Sequence, residues 1–128
     1  MCHGQFFIYQ DVHPLKNRAL LLAIFLSLAS SVFAGSILPR EAKDHVGELT
    51  LVKGSVDGFK SIPGETFLYM GGPFPKNTLT IFCPAKTGIT AEALRPYLGK
   101  TIFVSGKIDL YQGHPEIILN SLSQLTPP

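Results

Sequence analysis

Residues 99–119 read GKTIFVSGKIDLYQGHPEIIL, in which two runs of alternating apolar and polar residues flank the segment YQGHP. This alternation predicts a strand, a turn and a second strand. A similar segment, GELTLVKGSV, occurs at residues 47–56, where Val-x-Gly-x-Val at residues 52–56 matches Val-x-Gly-x-Ile at residues 104–108. Glycine inside a strand pattern indicates a bulge or a sharp bend. The two segments are therefore predicted to be neighbouring, curved strands of one sheet.

Residues 1–34 are predicted to be an N-terminal extension followed by a cleavable signal-peptide helix. Lys16 and Arg18 precede the apolar run of residues 19–34, which ends in Val-Phe-Ala, with small residues where signal peptidase requires them. This run is shorter than the roughly 20 apolar residues of a comfortable membrane span. A membrane anchor is therefore the less favoured alternative.

Residues 1–14 contain an acid, two histidines and a proline, and they fit a signal peptide poorly. Translation is expected to begin at Leu15, from a non-standard start codon. Residues 35–128 are then the mature chain, which we expect to be exported, preferably to a bacterial periplasm, with no stable membrane anchor after cleavage.

Residues 35–128 are long enough for one domain with a single core. Removing Lys16, Arg18 and Asp11 from the chain's 11 basic and 9 acidic residues leaves 9 and 8. Many nucleic-acid-binding proteins have a more basic balance. Cys83 is the single cysteine that remains, which excludes a disulfide framework within the domain. It is interpreted as a small buried side chain rather than a reactive thiol.

The pattern of predicted elements is strand, strand, strand, helix, strand, strand, with a short helix in front. The helices are predicted at residues 36–47 and 90–99, the strands at residues 47–56, 66–70, 79–83, 101–110 and 116–122, and a polar loop at residues 57–65. This order is typical of an all-β fold with a short helix, the five-stranded Greek-key barrel of the OB type. The main alternative, a β-sandwich, needs more strands than this domain can supply.

Four motifs extend this interpretation over nearly all of residues 37–125. They are AKDHVGE at residues 42–48, VKGSV at 52–56, TFLYMGGPFP at 66–75 and GKTIFVSGKIDLYQGHPEI at 99–117. With these motifs the chain resembles small exported bacterial OB-fold proteins, and OB domains attached to nucleases and DNA-binding proteins. The resemblance implies an OB-like barrel and the binding of nucleic acid.

OB barrels bind single strands by stacking bases on aromatic rings and by following the backbone with basic residues, mainly on strands two and three and nearby loops. The candidate ligand-binding residues are Lys53, Lys60, Phe67, Tyr69, Lys76, Phe82, Lys107 and Tyr111. Each also has an ordinary structural explanation. Small barrels fill their interior with large side chains, and lysines commonly lie on a solvated face.

Three functions agree with this pattern. The first is a binding module for single-stranded nucleic acid or another polyanion, the second a protein-interaction or envelope-stress module, and the third a small-molecule or oligosaccharide binder. Lysines that converge around exposed rings would favour the first function, and an apolar, uncharged face would favour the second.

Catalysis is not expected, because the D-G-D-T run and E-x-x-A-R helix of thermonuclease-type enzymes do not occur in the chain. His45, His114 and Cys83 are widely separated in sequence, so we expect no metal site and no cofactor.

Overall fold

The computed structural model describes residues 35–128, and the predicted N-terminal extension and signal peptide lie outside the described residues. The described chain is mostly β, with one seven-stranded sheet and short helices. The strands are β1 (Leu49–Ile62), β2 (Glu65–Met70), β3 (Leu79–Pro84), β4 (Thr101–Lys107), β5 (Asp109–Tyr111), β6 (His114–Ile118) and β7 (Leu125–Thr126). The helices are α1 (Ala91–Leu94) and the 3-10 helices Pro39–Asp44, Ala85–Thr87, Arg95–Tyr97 and Leu122–Gln124.

Strands β1 and β4 are antiparallel neighbours, as the matched segments predicted. Val52 lies opposite Val104, and Gly54 and Gly106 lie two residues from this pair in opposite directions. The antiparallel register therefore makes the repeated Val-x-Gly frame symmetric about the two valines.

Both glycines leave space for a neighbouring element. A Cβ atom at Gly54 would lie 2.5 Å from Pro39 Cγ, and one at Gly106 would lie 2.6 Å from Ile117 Cγ2. Pro39 belongs to the first 3-10 helix and Ile117 to β6. The sequence interpretation attributed the glycines to strand bending alone. The structure adds that a side chain at either position would push a packed element away.

Strand β1 is longer than predicted, and its second half occupies most of the segment expected to be a loop, residues 57–65. β1 pairs with β4 through Ser55 and with β2 from Val56 onward, with an irregularity between Val56 and Gly58. A bulge of this kind bends a strand and increases its twist, which allows one strand to serve two partners. The polar, glycine-containing composition of this segment predicted a loop, because Asp and Gly are depleted in strands.

The predicted fourth strand is divided into β4 and β5 by Ile108. The Ile108 carbonyl accepts a hydrogen bond of 2.7 Å from the Gly47 N–H, and its own N–H donates to the Glu48 carbonyl at 3.0 Å. β5 then pairs with β6, which lies parallel to β3. The sheet order is β5-β6-β3-β2-β1-β4-β7. The predicted count of five strands was wrong, because one strand is divided and β7 was not anticipated.

The predicted helix after β3 begins at Thr90, whose side chain accepts a hydrogen bond of 3.2 Å from the Ala93 N–H. Its α-helical part ends at Leu94, and Pro96 lies in the 3-10 turn that follows. A proline lacks the N–H that continues an α-helix, which accounts for the end of the α-helical part just before Arg95. Within residues 35–128, no helix is both long and apolar enough to cross a membrane.

The core is mainly aliphatic. Leu68, Met70, Leu79, Ile81 and Val104 are among its fully buried side chains. Among residues 35–128, no phenylalanine or tyrosine belongs to the buried core cluster, although Phe59 and Tyr97 pack against it. Tyr69 is buried outside this cluster, and Phe67 and Phe82 are half-buried.

Candidate ligand-binding groove

Three aromatic rings form a row on the outer surface of β2 and β3. Phe67 lies opposite Phe82, with ring centroids 5.2 Å apart and an interplanar angle of 29°. The Tyr69 ring is nearly parallel to the Phe67 ring, at a centroid distance of 6.4 Å. Because side chains alternate along a strand, Phe67 and Tyr69 face away from the buried side chain of Leu68. The alternation of side chains along β2 therefore places both rings on the face opposite Leu68.

Tyr69 is only 7 % exposed although it lies on this outer surface. Gly58 leaves room for its ring, since a Cβ atom there would lie 3.0 Å from Tyr69 Cδ2. Phe74 covers the ring from the loop after β2, at a centroid distance of 5.1 Å. This burial raises the pKa of Tyr69. Tyr69 therefore forms a wall, while Phe74, which is 63 % exposed, offers a more accessible ring.

The loop that carries Phe74, residues 71–78, is held in place by hydrogen bonds. The Asp57 carboxylate accepts a bond of 2.8 Å from the Gly72 N–H. The Asn77 side-chain amide donates to the Thr80 hydroxyl at 2.8 Å. These bonds anchor both ends of the loop to the sheet, so the position of Phe74 over Tyr69 is fixed by the fold.

The turn between β5 and β6 supplies the opposite wall. Gln112 and Gly113 both have positive φ angles, of 51° and 81°, which is the geometry of a tight type I′ hairpin. Tyr111 lies opposite His114 at the base of this turn and is 60 % exposed. The short hairpin therefore presents the Tyr111 ring at the surface.

Two cavities lie along this surface and share Phe67, Tyr111 and Glu116. The larger, of about 340 Å³, lies between the loop and the hairpin, and the smaller, of about 240 Å³, lies beside Phe67 and Phe82. Together they are called the aromatic groove. Its chemically important lining is the five rings Phe67, Tyr69, Phe74, Phe82 and Tyr111 and the two carboxyl groups of Glu65 and Glu116.

The charge in the aromatic groove is acidic. Glu65 and Glu116 line the smaller cavity, one from β2 and one from β6. Burial raises the pKa of Glu116, and the carboxylate of Asp109, which lies opposite it in the sheet, raises that pKa further. The electrostatic environment of Glu116 therefore favours either its neutral form or a positively charged neighbour.

The predicted lysines do not converge on the rings, and within residues 35–128 none of the four lines either cavity. Lys60 is nearest in the sheet register, opposite Phe67. It lies on a strand, although it was predicted to lie in a loop. Lys76 is exposed in the loop after β2.

The other two predicted lysines lie on β1 and β4, where each has a local partner. Lys53 Nζ is 5.6 Å from the centroid of the Phe103 ring. Lys107 Nζ is 4.0 Å from Asp109 Oδ1, with both side chains exposed. The structure thus brings together the four predicted aromatic residues and separates them from these two predicted cations.

Three lining residues were missed by the sequence analysis. Phe74 lies between two prolines in GGPFP, where an aromatic residue in a turn segment was an available signal. Glu116 has the same strand phase as His114, so the hairpin pattern could have placed it on the outer surface. Glu65 was assigned to a loop, and its strand position could not be anticipated.

The residues weighed as metal ligands are separated in the structure. Cys83 is 2 % exposed, which confirms that it is buried. His45 Nδ1 is 3.0 Å from Glu48 Oε1, and this hydrogen bond raises the pKa of His45. Residues 35–128 contain no group of three or more His, Cys, Asp or Glu residues arranged to hold a metal ion.

No family model matches the chain, and no curated protein is similar to it. One similar solved structure is a protein assigned as an aspartyl-tRNA synthetase from Leishmania major Friedlin, with 10% identity, a TM-score of 0.49 and coverage of 68% of this chain and 20% of that one. Another is the S. pombe Stn1-Ten1 complex, with 17% identity, a TM-score of 0.45 and coverage of 57% and 54%. Both TM-scores are below 0.5, so neither likeness supports a conclusion about fold or ligand.

Proposed function

We propose that residues 35–128 form an OB-type barrel that acts as a binding module and holds its ligand in the aromatic groove. The pairing of the strands supports the barrel. β1 pairs with both β2 and β4, and β3 lies parallel to β6. Ile108 joins β4, which lies next to β7 at one end of the sheet order, to β5 at the other end, and a Greek-key barrel would close through this connection.

The observation that carries the binding proposal is the concentration of aromatic rings on one outer surface. The main core cluster contains none of these rings, and four of the five, all except Tyr69, are half-buried or exposed. Phe74 and Tyr111 are more than half exposed, on segments that hydrogen bonds and a tight turn hold in place. Contiguous exposed apolar surface of this kind is typical of interaction sites.

The ligand that fits the groove best is an extended segment of a partner protein. Aromatic-lined grooves hold such segments through contacts with the rings. The carboxyl groups of Glu65 and Glu116 line the groove and would repel a phosphate backbone, while the lysines that could attract one lie outside it. The groove is neither surrounded by converging lysines nor uncharged, so neither criterion set from the sequence is met. The expected repulsion of a phosphate backbone is the reason for preferring the second of the three functions.

Single-stranded nucleic acid is the second candidate, and one observation favours it. Lys60 lies opposite Phe67, and Phe67 lies opposite Phe82, so a cation and two rings share one row across the sheet. A base stacked on such a ring would contribute about 1–3 kcal/mol.

Two binding experiments on the full chain separate these candidates. Peptides selected from a random display library are expected to lose affinity for Phe82→Ala and to keep it for Phe103→Ala, a matched change on β4. Labelled single-stranded DNA is expected to show no binding by fluorescence anisotropy, even at low salt. DNA binding that weakens steeply with salt and depends on Phe82 would establish the second candidate instead. A selection that yields no peptide dependent on Phe82 would contradict a protein partner.

We also propose that the module is exported and acts by binding rather than catalysis. The basic residues and apolar run before Gly35 support export. N-terminal sequencing of the protein recovered from outside the cytoplasm is expected to begin at or near Gly35. Recovery of an uncleaved chain from the cytoplasm would contradict export.

A further inference from the structure

We propose that the smaller cavity of the aromatic groove binds the charged end of an arginine side chain carried by the partner protein. The inference rests on the proposed function. The smaller cavity would bind one side chain of the partner's extended segment, and the rest of the aromatic groove would bind the residues next to it in that segment. The inference goes beyond that function by naming the chemical group that is recognised.

The cavity surrounds a bound side chain with rings and negative charge. Phe67, Phe82 and Tyr111 supply three aromatic faces or edges, and Glu65 and Glu116 supply two carboxyl groups. The carboxyl groups come from β2 and β6, the two strands that flank β3 and its Phe82. Rings attract cations through their quadrupole, and carboxylates form charge-assisted hydrogen bonds with them. The two attractions act on the same group.

The two carboxyl groups have no basic partner of their own within the described chain. Among residues 35–128, the ion pairs are His45–Glu48 and Lys107–Asp109, and neither includes Glu65 or Glu116. Glu116 is half-buried and faces the further negative charge of Asp109 across the sheet. A cation supplied from outside would offset this unfavourable arrangement.

The size of the cavity suits a side chain. Its volume of about 240 Å³ is below the roughly 300–1,000 Å³ of small-molecule pockets. It adjoins the larger cavity, with which it shares Phe67, Tyr111 and Glu116, so residues next to the bound one can lie there. A single side chain is therefore a better fit to the smaller cavity than a small molecule.

Arginine fits this chemistry better than lysine. The planar guanidinium stacks on aromatic faces and can bond a carboxylate through two N–H groups, whereas an ammonium is a strongly hydrated point charge. The protein itself contains such a stack elsewhere, since Arg95 Cζ lies 4.7 Å from the centroid of the Phe59 ring.

The test is an NMR titration of the isotope-labelled full chain with three probes: Nα-acetyl-arginine amide, its lysine counterpart, and the citrulline counterpart, which is nearly isosteric with arginine but neutral. The arginine probe is expected to shift the resonances of Phe67, Phe82, Tyr111 and Glu116 and to bind at least about tenfold more tightly than the citrulline probe, equivalent to about 1.4 kcal/mol. The lysine probe is expected to bind between them. The spectrum of the double variant Glu65→Gln, Glu116→Gln is expected to keep its dispersion while the preference for arginine over citrulline disappears.

Three results would overturn the inference: equal affinity for the arginine and citrulline probes, shifts confined to another surface, or no binding of the arginine probe. The peptide selection distinguishes this failure from failure of the proposed function. Groove-dependent peptides without a basic residue would leave the binding module intact and remove the arginine site. Absence of any groove-dependent peptide would remove the proposed function itself.

Discussion

The outer surface of β2 and β3 differs from the outer surface of β1 and β4 in the charged side chains that lie beside its aromatic rings. On β4 the Phe103 ring is accompanied by the chain's own cation, Lys53. On β2 and β3 the Phe67 and Phe82 rings lie beside two carboxyl groups, and none of the predicted lysines among residues 35–128 lines their cavity. On the first surface a ring contacts the chain's own lysine, whereas on the second Lys60 lies opposite Phe67 but outside the cavity lined by the two glutamates. This difference is the reason for assigning the proposed ligand to the second surface.

β1 pairs with β2 of one surface and with β4 of the other, so both surfaces depend on the packing that holds this strand. Gly54→Ala is expected to lower the free energy of unfolding by about 1–3 kcal/mol, because overpacking of a filled site has this cost. The added Cβ atom would lie 2.5 Å from Pro39 Cγ and 3.3 Å from Met70 Cε. Urea denaturation measures the change. Thr101→Ala, at an exposed position of β4, is the control and should stay within about 0.5 kcal/mol of the parent chain. Equal stability of Gly54→Ala and the parent chain would disprove the steric explanation.

The sharpest comparison between the surfaces is a pair of phenylalanine truncations. Phe82→Ala should weaken binding of a groove-selected peptide by about tenfold or more, since truncated interface anchors often cost over 1 kcal/mol. Phe103→Ala removes a ring of the same kind and partial burial from the other surface, and it should change the affinity less than about twofold. Isothermal titration calorimetry gives both values. A larger loss of affinity for Phe103→Ala than for Phe82→Ala would show that the peptide binds the outer surface of β1 and β4 instead, and would contradict this account.

A smaller effect is expected on stability as a function of pH. The pKa of Glu116 is raised in the folded chain, so the folded chain holds its proton more tightly than the unfolded chain does. Stability is therefore lost as pH rises from the ordinary glutamate range, near about 4.3, through the raised pKa. The nearby charged or titratable groups are Asp109 on β5 with its ion-pair partner Lys107 on β4, Glu65 on β2 and His114 on β6.

Glu116→Gln removes this titration, so the variant should lose less stability than the parent chain over that pH interval. Thermal unfolding at a series of pH values provides the comparison. Parallel stability profiles for the two chains would show that the environment of Glu116 does not disfavour its charge.

The smallest expected effect concerns the lysine surface. Lys53→Gln should leave the affinity for a groove-selected peptide within about twofold at physiological salt, where charges are screened over about 8 Å. Competition anisotropy is sensitive enough to detect a larger change. A tenfold change would mean that the two surfaces act on one ligand, and the contrast between them would no longer hold.

Much of the fold could be predicted because it depends on local alternation. The matched frames at residues 52–56 and 104–108 gave the β1–β4 pairing, and the helical segment lies within the predicted range of residues 90–99. The second half of β1 could not be predicted in the same way. It is a strand because β2 pairs with it beyond a bulge, and that pairing overrides a loop-like composition.

The aromatic residues of the candidate site could be predicted from the sequence, but its charged residues could not. Strand alternation identified Phe67, Tyr69 and Phe82, and the turn composition identified Tyr111. Lys53 and Lys107 were grouped by strand phase, and Lys60 and Lys76 by their predicted loop positions. Neither criterion says how far apart two outward-facing residues lie on a curved sheet. Glu65 and Glu116 come together only because β3 lies between their strands, a fact of topology that is not readable from either segment.

A double-mutant cycle between the probe and the protein tests the central claim most directly. The affinities of Nα-acetyl-arginine amide and its citrulline counterpart are measured for the parent chain and for Glu116→Gln, with Phe103→Ala as a chain that retains both carboxyl groups. The account predicts a coupling free energy of about 0.5–3 kcal/mol between the guanidinium charge and the Glu116 carboxylate. Additive effects, with no coupling, would contradict it.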